Sequence, residues 1–316
     1  MLRGIAVLMV CIFHFAGTLG DSFFNLEIAF YGKFGVYIFF VISGFGIPFS
    51  MFKSGYKFKY FGKFMLKRII RIEPVYISSI AIIIFIAYLA KLSPYGLNDN
   101  LDYFNLNSFL HLFYLVDFFN GHWLNVVFWT LAIEFQFYIL IALLFPILEK
   151  TSKLISVFIL CLAALLPFIL NIDFLVFNFL LLFIPGFLFY LFYTKKLKIQ
   201  YFVLYLILIT ILNAIKFDYF VAFCPVISIL FIYFVKKTNK YFMFLGKISF
   251  SIYLLHTPIG TDGIINFCQN FISDEVGKII LMFATIPLII LISWIFYKYI
   301  EEPTMKLSKK IIYSKL

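Results

Sequence analysis

Apolar residues run in long blocks along this chain, parted by short polar stretches. The blocks fall at about 4–20, 31–52, 74–92, 126–148, 154–171, 174–193, 201–216, 219–235, 244–260 and 278–300. A helix needs roughly 20 apolar residues to cross a hydrocarbon layer about 30 Å thick. The pattern therefore predicts about ten spanning helices, of which 201–216 is the shortest. The fold class is all-α: a polytopic transmembrane helix bundle, read as one domain over 1–316. No polar stretch is long enough to bury a core of its own, and no fixed-period repeat is visible. The first block ends in a Gly-rich segment followed by Asp21 and Ser22. No small-residue cleavage site follows it, so it reads as an uncleaved anchor rather than a signal peptide.

Composition supports the membrane reading. The chain is 64% hydrophobic and 13% charged, against about half and about a quarter in soluble domains. Cys11, Cys161, Cys224 and Cys268 are scattered, with neither a disulfide framework nor metal-ligand spacing. No metal site is predicted. The net charge of +11 raises nucleic acid as a partner, but the positions of the basic residues remove it. With the N-terminus cytoplasmic, only Lys33, Lys91, Lys216 and Lys278 of the 26 Lys and Arg face outward. The charge is thus a topology signal that places both termini in the cytoplasm. Anionic membrane lipids are natural neighbours of the inner loops.

The outward segments are short except for 93–125. That loop carries Pro94, Asn98, Asp99, Asn100, Asp102, Asn105, Asn107, His111, Asp117, Asn120 and His122. Its middle, Ser108 to Phe119, is amphipathic enough to predict a helix lying on the membrane surface. Long loops are often functional. This one is either a solvated connector or the place where an acceptor is read.

Candidate chemistry begins in the first block. Arg3 and His14 are eleven residues apart, about three helical turns, so they share a face about 16 Å apart along the axis. An ionisable group deep in a bilayer is costly and points to function. Counting from the block starts, Glu134 and His256 reach the same depth as His14. Hydrogen bonding within the structure accounts for any one of the three; their coincidence points to acid–base work. Glu134 shares a face with Thr130 and Tyr138, and His256 shares one with Ser249 and Tyr253. These faces line a polar cavity or bond helix to helix.

Three further stretches stand out. In Lys67-Arg68-Ile69-Ile70-Arg71-Ile72-Glu73-Pro74, Arg68 and Arg71 are i, i+3 neighbours, and Pro74 fits the start of the next span. Paired guanidiniums suit phosphate, and they also serve as topology charges. Gly35, Ser43, Gly44 and Gly46 permit close helix packing or close approach of a ligand. In Tyr299-Ile300-Glu301-Glu302-Pro303, Glu301 is placed to pair with an inner arginine or to end a helix in solvent.

Together these stretches resemble the membrane-bound acyltransferase family 3, which O-acylates bacterial envelope and exported glycans. The marks are Leu2-Arg3-Gly4-Ile5-Ala6 with His14, then Phe34-Gly35-Val36 and Phe39-Phe40-Val41-Ile42-Ser43-Gly44-Phe45. Lys67 to Pro74, Trp129-Thr130-Leu131-Ala132-Ile133-Glu134-Phe135-Gln136-Phe137-Tyr138, Ser249 to His256 and Ile300-Glu301-Glu302-Pro303 follow in order. The resemblance implies ten core helices in the bacterial cytoplasmic membrane and acyl-CoA, acetyl-CoA by default, used from inside. It implies His14 as catalytic base or acyl relay, with Glu134 as the buried carboxylate assisting it. Arg3, Arg68 and Arg71 would meet the donor's phosphates. Ser43, Tyr138, Ser249, Tyr253 and His256 would line the substrate cavity. The acceptor would be a glycan or lipid-linked sugar. Two departures are a lead of only Met1 and Leu2 before Arg3, and Thr130 where Ser is common. Without an attached esterase-like domain, the chain reads as a stand-alone form. The rival is a proton-coupled transporter or flippase. It also predicts buried His and Glu, but it explains the Arg pair less well.

Overall fold

The computed structural model describes residues 1–20, 31–92, 106–237, 239–272 and 274–313. Asp21, Ser22 and the 93–105 part of the outward loop lie outside them. The helices, in order, are α1 (Leu2–Thr18), α2 (Phe34–Lys53), α3 (Phe61–Leu92), α4 (Leu106–His111), α5 (Phe128–Lys150), α6 (Lys153–Ala163), α7 (Leu166–Ile169) and α8 (Leu180–Tyr193). They continue as α9 (Ile199–Lys216), α10 (Tyr219–Phe234), α11 (Lys240–Lys247), α12 (Ser249–Leu255), α13 (Asn266–Cys268), α14 (Glu275–Phe296) and α15 (Glu302–Lys309). There is no strand among the described residues.

Every predicted apolar run coincides with helix. By length and composition, six helices among the described residues can cross a membrane. The pair Lys240–Lys247 and Ser249–Phe271, bent by 57°, makes a seventh if taken as one span. Leu2–Thr18, Lys153–Ile169 and Tyr219–Phe234 are apolar but shorter. Exposed Phe85, Leu204, Ile215, Phe223 and Ile280 give the bundle an apolar outer belt, as a multi-pass membrane protein requires.

Small residues set the closest approaches. A Cβ on Gly44 would sit 2.1 Å from the Phe183 carbonyl oxygen, and one on Gly186 would sit 2.3 Å from that of Val41. So α2 and α8 touch backbone to backbone. Gly35 presses on the Ala6 carbonyl, and Gly4 on Phe242 and Gly246, which fixes α1 against α2 and α11.

Three local expectations change. Pro74 does not open a span: α3 runs through it, so Arg68 and Arg71 ride on the same rod. The Ser78 hydroxyl donates to the Pro74 carbonyl at 2.7 Å, one turn further along the same rod. The surface helix expected over Ser108–Phe119 is only the short α4, turns and a 3-10 turn at Asp117–Phe119. Left-handed backbone at Tyr114 (φ 57°) and Asn120 (φ 52°) breaks it. Finally, 244–260 is not one straight span. It bends after α11 and turns π-helical over His256–Ile265. A second π segment spans Tyr297–Glu301. π segments are rare and often mark functional sites.

The loop before α5 is held by side chains. Asn107 clamps the backbone of His122, donating to its carbonyl at 2.7 Å and accepting from its N–H at 3.0 Å. His111 Nε2 accepts the Leu124 N–H at 2.9 Å, so Nδ1 carries the hydrogen and donates to the Asn107 carbonyl at 2.8 Å. Burial pulls this imidazole below its ordinary pKa of 6.5, against the opposing pull of the Asn107 hydrogen bond.

Candidate functional site

The arginines of α1 and α3 meet inside the bundle. Arg3, Arg68 and Arg71 line a cavity of about 220 Å³ with Ser43, Gly46 and Ser50 of α2 and Glu134 and Tyr138 of α5. Its carboxylate is fixed by local geometry. Tyr138, one turn after Glu134, donates its hydroxyl to Glu134 Oε1 at 2.7 Å. The Ser43 hydroxyl donates to the same oxygen at 2.8 Å. Gly46 has open space where a Cβ would stand. The four small residues thus divide: Gly35 and Gly44 pack helices, while Ser43 and Gly46 face the cavity.

The charges do not balance. Among the described residues, none of the three arginines has a carboxylate within the 4.0 Å of an ion pair. Arg3 Nε and Arg68 Nε are buried without a hydrogen-bond partner. Arg71 repels Arg3, and Glu134 and Glu301 offset this at longer range. Glu301, expected to pair with an arginine or end in solvent, does neither. It is 3% exposed and accepts the Ser251 hydroxyl at 2.5 Å, while facing Arg71 and Arg3. Buried guanidiniums left unpaired are costly. A dianionic group, which could take bidentate hydrogen bonds, fits this lining.

A second, narrower cavity shares Arg3, Glu134 and Phe250 with the first and adds Phe40, Thr130, Ser249 and Tyr253. Tyr253 and Thr130 hydroxyls lie 2.6 Å apart. Beyond Tyr253 stands His256, ring centroids 5.8 Å apart, and beyond it His14, at 5.1 Å from His256. His256 Nδ1 lies 2.8 Å from the Tyr253 carbonyl and 3.2 Å from that of Ile252. A carbonyl only accepts, so Nδ1 carries the hydrogen and Nε2 is a bare acceptor. It is buried and has no partner.

The sequence-predicted residues therefore fall into two groups. Arg3, Arg68, Arg71, Glu134, Tyr138 and Ser43 come together around the first cavity, and Ser249 and Tyr253 line the second. His14 and His256 form a pair that lines neither. The structure packs the His14 ring against that of His256 and sets Glu134 apart from them. Glu134 bonds Ser43 and Tyr138, shares no hydrogen bond with His14, and belongs with the arginines. Ser50 and Phe250 also line the first cavity; no sequence signal marked Ser50. No group of three or more His, Cys, Asp or Glu among the described residues could hold a metal ion.

A family model described as an acyltransferase domain, that of acyltransferase family 3, matches residues 1–298. No curated protein and no solved structure matches the chain.

Proposed function

Since the chain belongs to acyltransferase family 3, we propose that this membrane acyltransferase moves an acetyl or other acyl group from cytoplasmic acyl-CoA to a hydroxyl of an envelope or exported glycan. It would do so in the bacterial cytoplasmic membrane, with both termini inside. One observation carries this reading: three arginines converge on one cavity with no ion-pair partner among the described residues. A proton-coupled carrier has no need of them, whereas the phosphates of coenzyme A do.

In this reading Arg68, Arg71 and Arg3 hold the phosphates. Glu134, oriented by Ser43 and Tyr138, offsets part of the positive charge of Arg3 at longer range. The acyl arm runs through the second cavity past Tyr253 toward the histidine pair. His14 takes the proton of the acceptor hydroxyl as its oxygen attacks the thioester carbonyl. The C–S bond breaks, and His14 returns the proton to the departing thiolate. In a two-step variant the His14 nitrogen takes the acyl group first and passes it to the hydroxyl. His256, whose ring packs beside that of His14, acts as a positioning residue.

Isothermal titration of the detergent-solubilised protein with coenzyme A and acetyl-CoA tests this. Binding is expected, and it should weaken by about tenfold or more per arginine in Arg68→Ala/Arg71→Ala. Folded protein that binds neither ligand overturns the reading in favour of a carrier.

A further inference from the structure

At the N-terminal ends of α5 and α8 lies a third hollow, open and about 380 Å³ in volume. That is within the roughly 300–1,000 Å³ of small-molecule sites. Its walls are aromatic: Trp123 from the loop, Trp129 from α5, and Phe174 and Phe179 from the segment leading into α8. Two carboxylates face it, Asp117 and Asp173. Each is held by one N–H donor. Trp123 Nε1 donates to Asp117 Oδ1 at 3.0 Å, and Asn178 Nδ2 to Asp173 Oδ1 at 3.0 Å. Among the described residues the second oxygen of each has no partner, and neither aspartate is ion-paired.

The walls themselves are braced. Gln136 accepts from the Val176 N–H at 2.8 Å and donates to the Phe174 carbonyl at 2.9 Å, fixing the segment that carries Asp173. Trp129 and Phe179 lie 5.5 Å apart. One ring touches both the second cavity and the wall of this hollow. Phe40 lines the second cavity and packs on Trp129 at 6.5 Å and Phe179 at 5.5 Å.

We propose that this cleft is the acceptor subsite and seats one sugar ring, with its C–H face on the Trp129 and Phe179 planes and its hydroxyls donating to Asp117 and Asp173. The chemistry is specific to a ring that is apolar on its faces and rich in O–H at its edge. Aromatic planes supply area at low entropy cost. Carboxylate oxygens that already hold one N–H are ready acceptors for neutral hydroxyls. The site rests on the acyltransferase reading for its place in the reaction. Phe40 connects the wall of this cleft with that of the second cavity.

Two of the three tryptophans of the chain line the cleft. Intrinsic fluorescence therefore reads it directly, with Trp294→Phe as the background. Glucose, galactose, N-acetylglucosamine and short oligosaccharides of each are titrated to their solubility limits. At least one is expected to shift the emission saturably. Asp117→Asn and Asp173→Asn, which keep the side-chain shape and the Oδ1 acceptor, should each weaken that binding by about tenfold. Coenzyme A affinity, measured on the same samples, should stay unchanged. No saturable shift with any saccharide, in protein that still binds coenzyme A, overturns the subsite alone. A shift produced by choline and by no saccharide also overturns it, since the cleft would then be a cation site. Loss of coenzyme A binding by the unmutated protein strikes instead at the acyltransferase reading.

Discussion

His14 and His256 stand with their rings 5.1 Å apart, and the hydrogen on His256 Nδ1 is committed to the carbonyls of Tyr253 and Ile252. The Nε2 of His256 is left bare, buried without a partner. His14→Ala should lower the acyl-transfer rate by about 10²–10⁴-fold while coenzyme A binding is unchanged. His256→Gln should lower kcat less, leave KM near its value and move the pH profile. Transfer of labelled acetyl groups in proteoliposomes measures both. Full activity of His14→Ala would remove both routes proposed for it.

Two glycines two residues apart, on opposite sides of α2, should behave in opposite ways. Gly44→Ala drives a methyl group against the Phe183 carbonyl at 2.1 Å, where backbone must shift. A loss of about 1–3 kcal/mol is expected, from overpacking. Gly46→Ala meets nothing within 4 Å and should leave stability unchanged. Gly46→Leu should fill the arginine cavity, weakening coenzyme A binding with the fold intact. Thermal unfolding in detergent, alongside titration, separates the three.

Among the described residues, Glu134 is the one carboxylate lining the arginine cavity. Glu134→Gln keeps an oxygen for Ser43 and Tyr138 but removes the charge. The cavity becomes more positive, so inorganic pyrophosphate and coenzyme A should bind more tightly, with a steeper salt dependence. Weaker pyrophosphate binding by this variant would contradict the charge balance described above.

The loop before α5 should loosen in mild acid. His111 is neutral when folded, with burial holding its pKa below 6.5. In the unfolded chain it protonates near 6.5, so below that value the unfolded state binds more protons. The stability that His111 confers is fully present above about pH 6.5 and is lost as pH falls toward its lower folded value. Protonation also turns Nε2 into a donor facing the Leu124 N–H. The melting temperature of the purified protein should drop between pH 7 and pH 5, and His111→Gln should flatten that part of the curve.

What could be read from the sequence was what repeats along a helix. Tyr138 reaching Glu134 is an i, i+4 contact, and Arg68 with Arg71 an i, i+3 one, so residue spacing alone brought them together. The meeting of Arg3 with that pair is tertiary, and only the family resemblance pointed to it. The partnership of His14 with His256 was not legible. It depends on a 57° bend and a π segment, and neither leaves a periodic signature in an apolar run. Asp173 was passed over for a related reason. It gains meaning only beside Asp117, 56 positions earlier, once Gln136 has pinned its segment. Pro74 misled in the other direction, as a helix start that membrane packing overrides.

The ring of Phe40 carries a further consequence. It is 3% exposed and sits between the open cleft and the polar interior. A protein that draws donor and acceptor from opposite faces into one interior risks joining two aqueous compartments. With Phe40 wedged against Trp129 and Phe179, the path has an insulator one side chain thick. Vesicles carrying Phe40→Ala should dissipate an imposed proton gradient faster than those carrying the unaltered protein. The residue that separates two substrates would then also protect the cell's energy store.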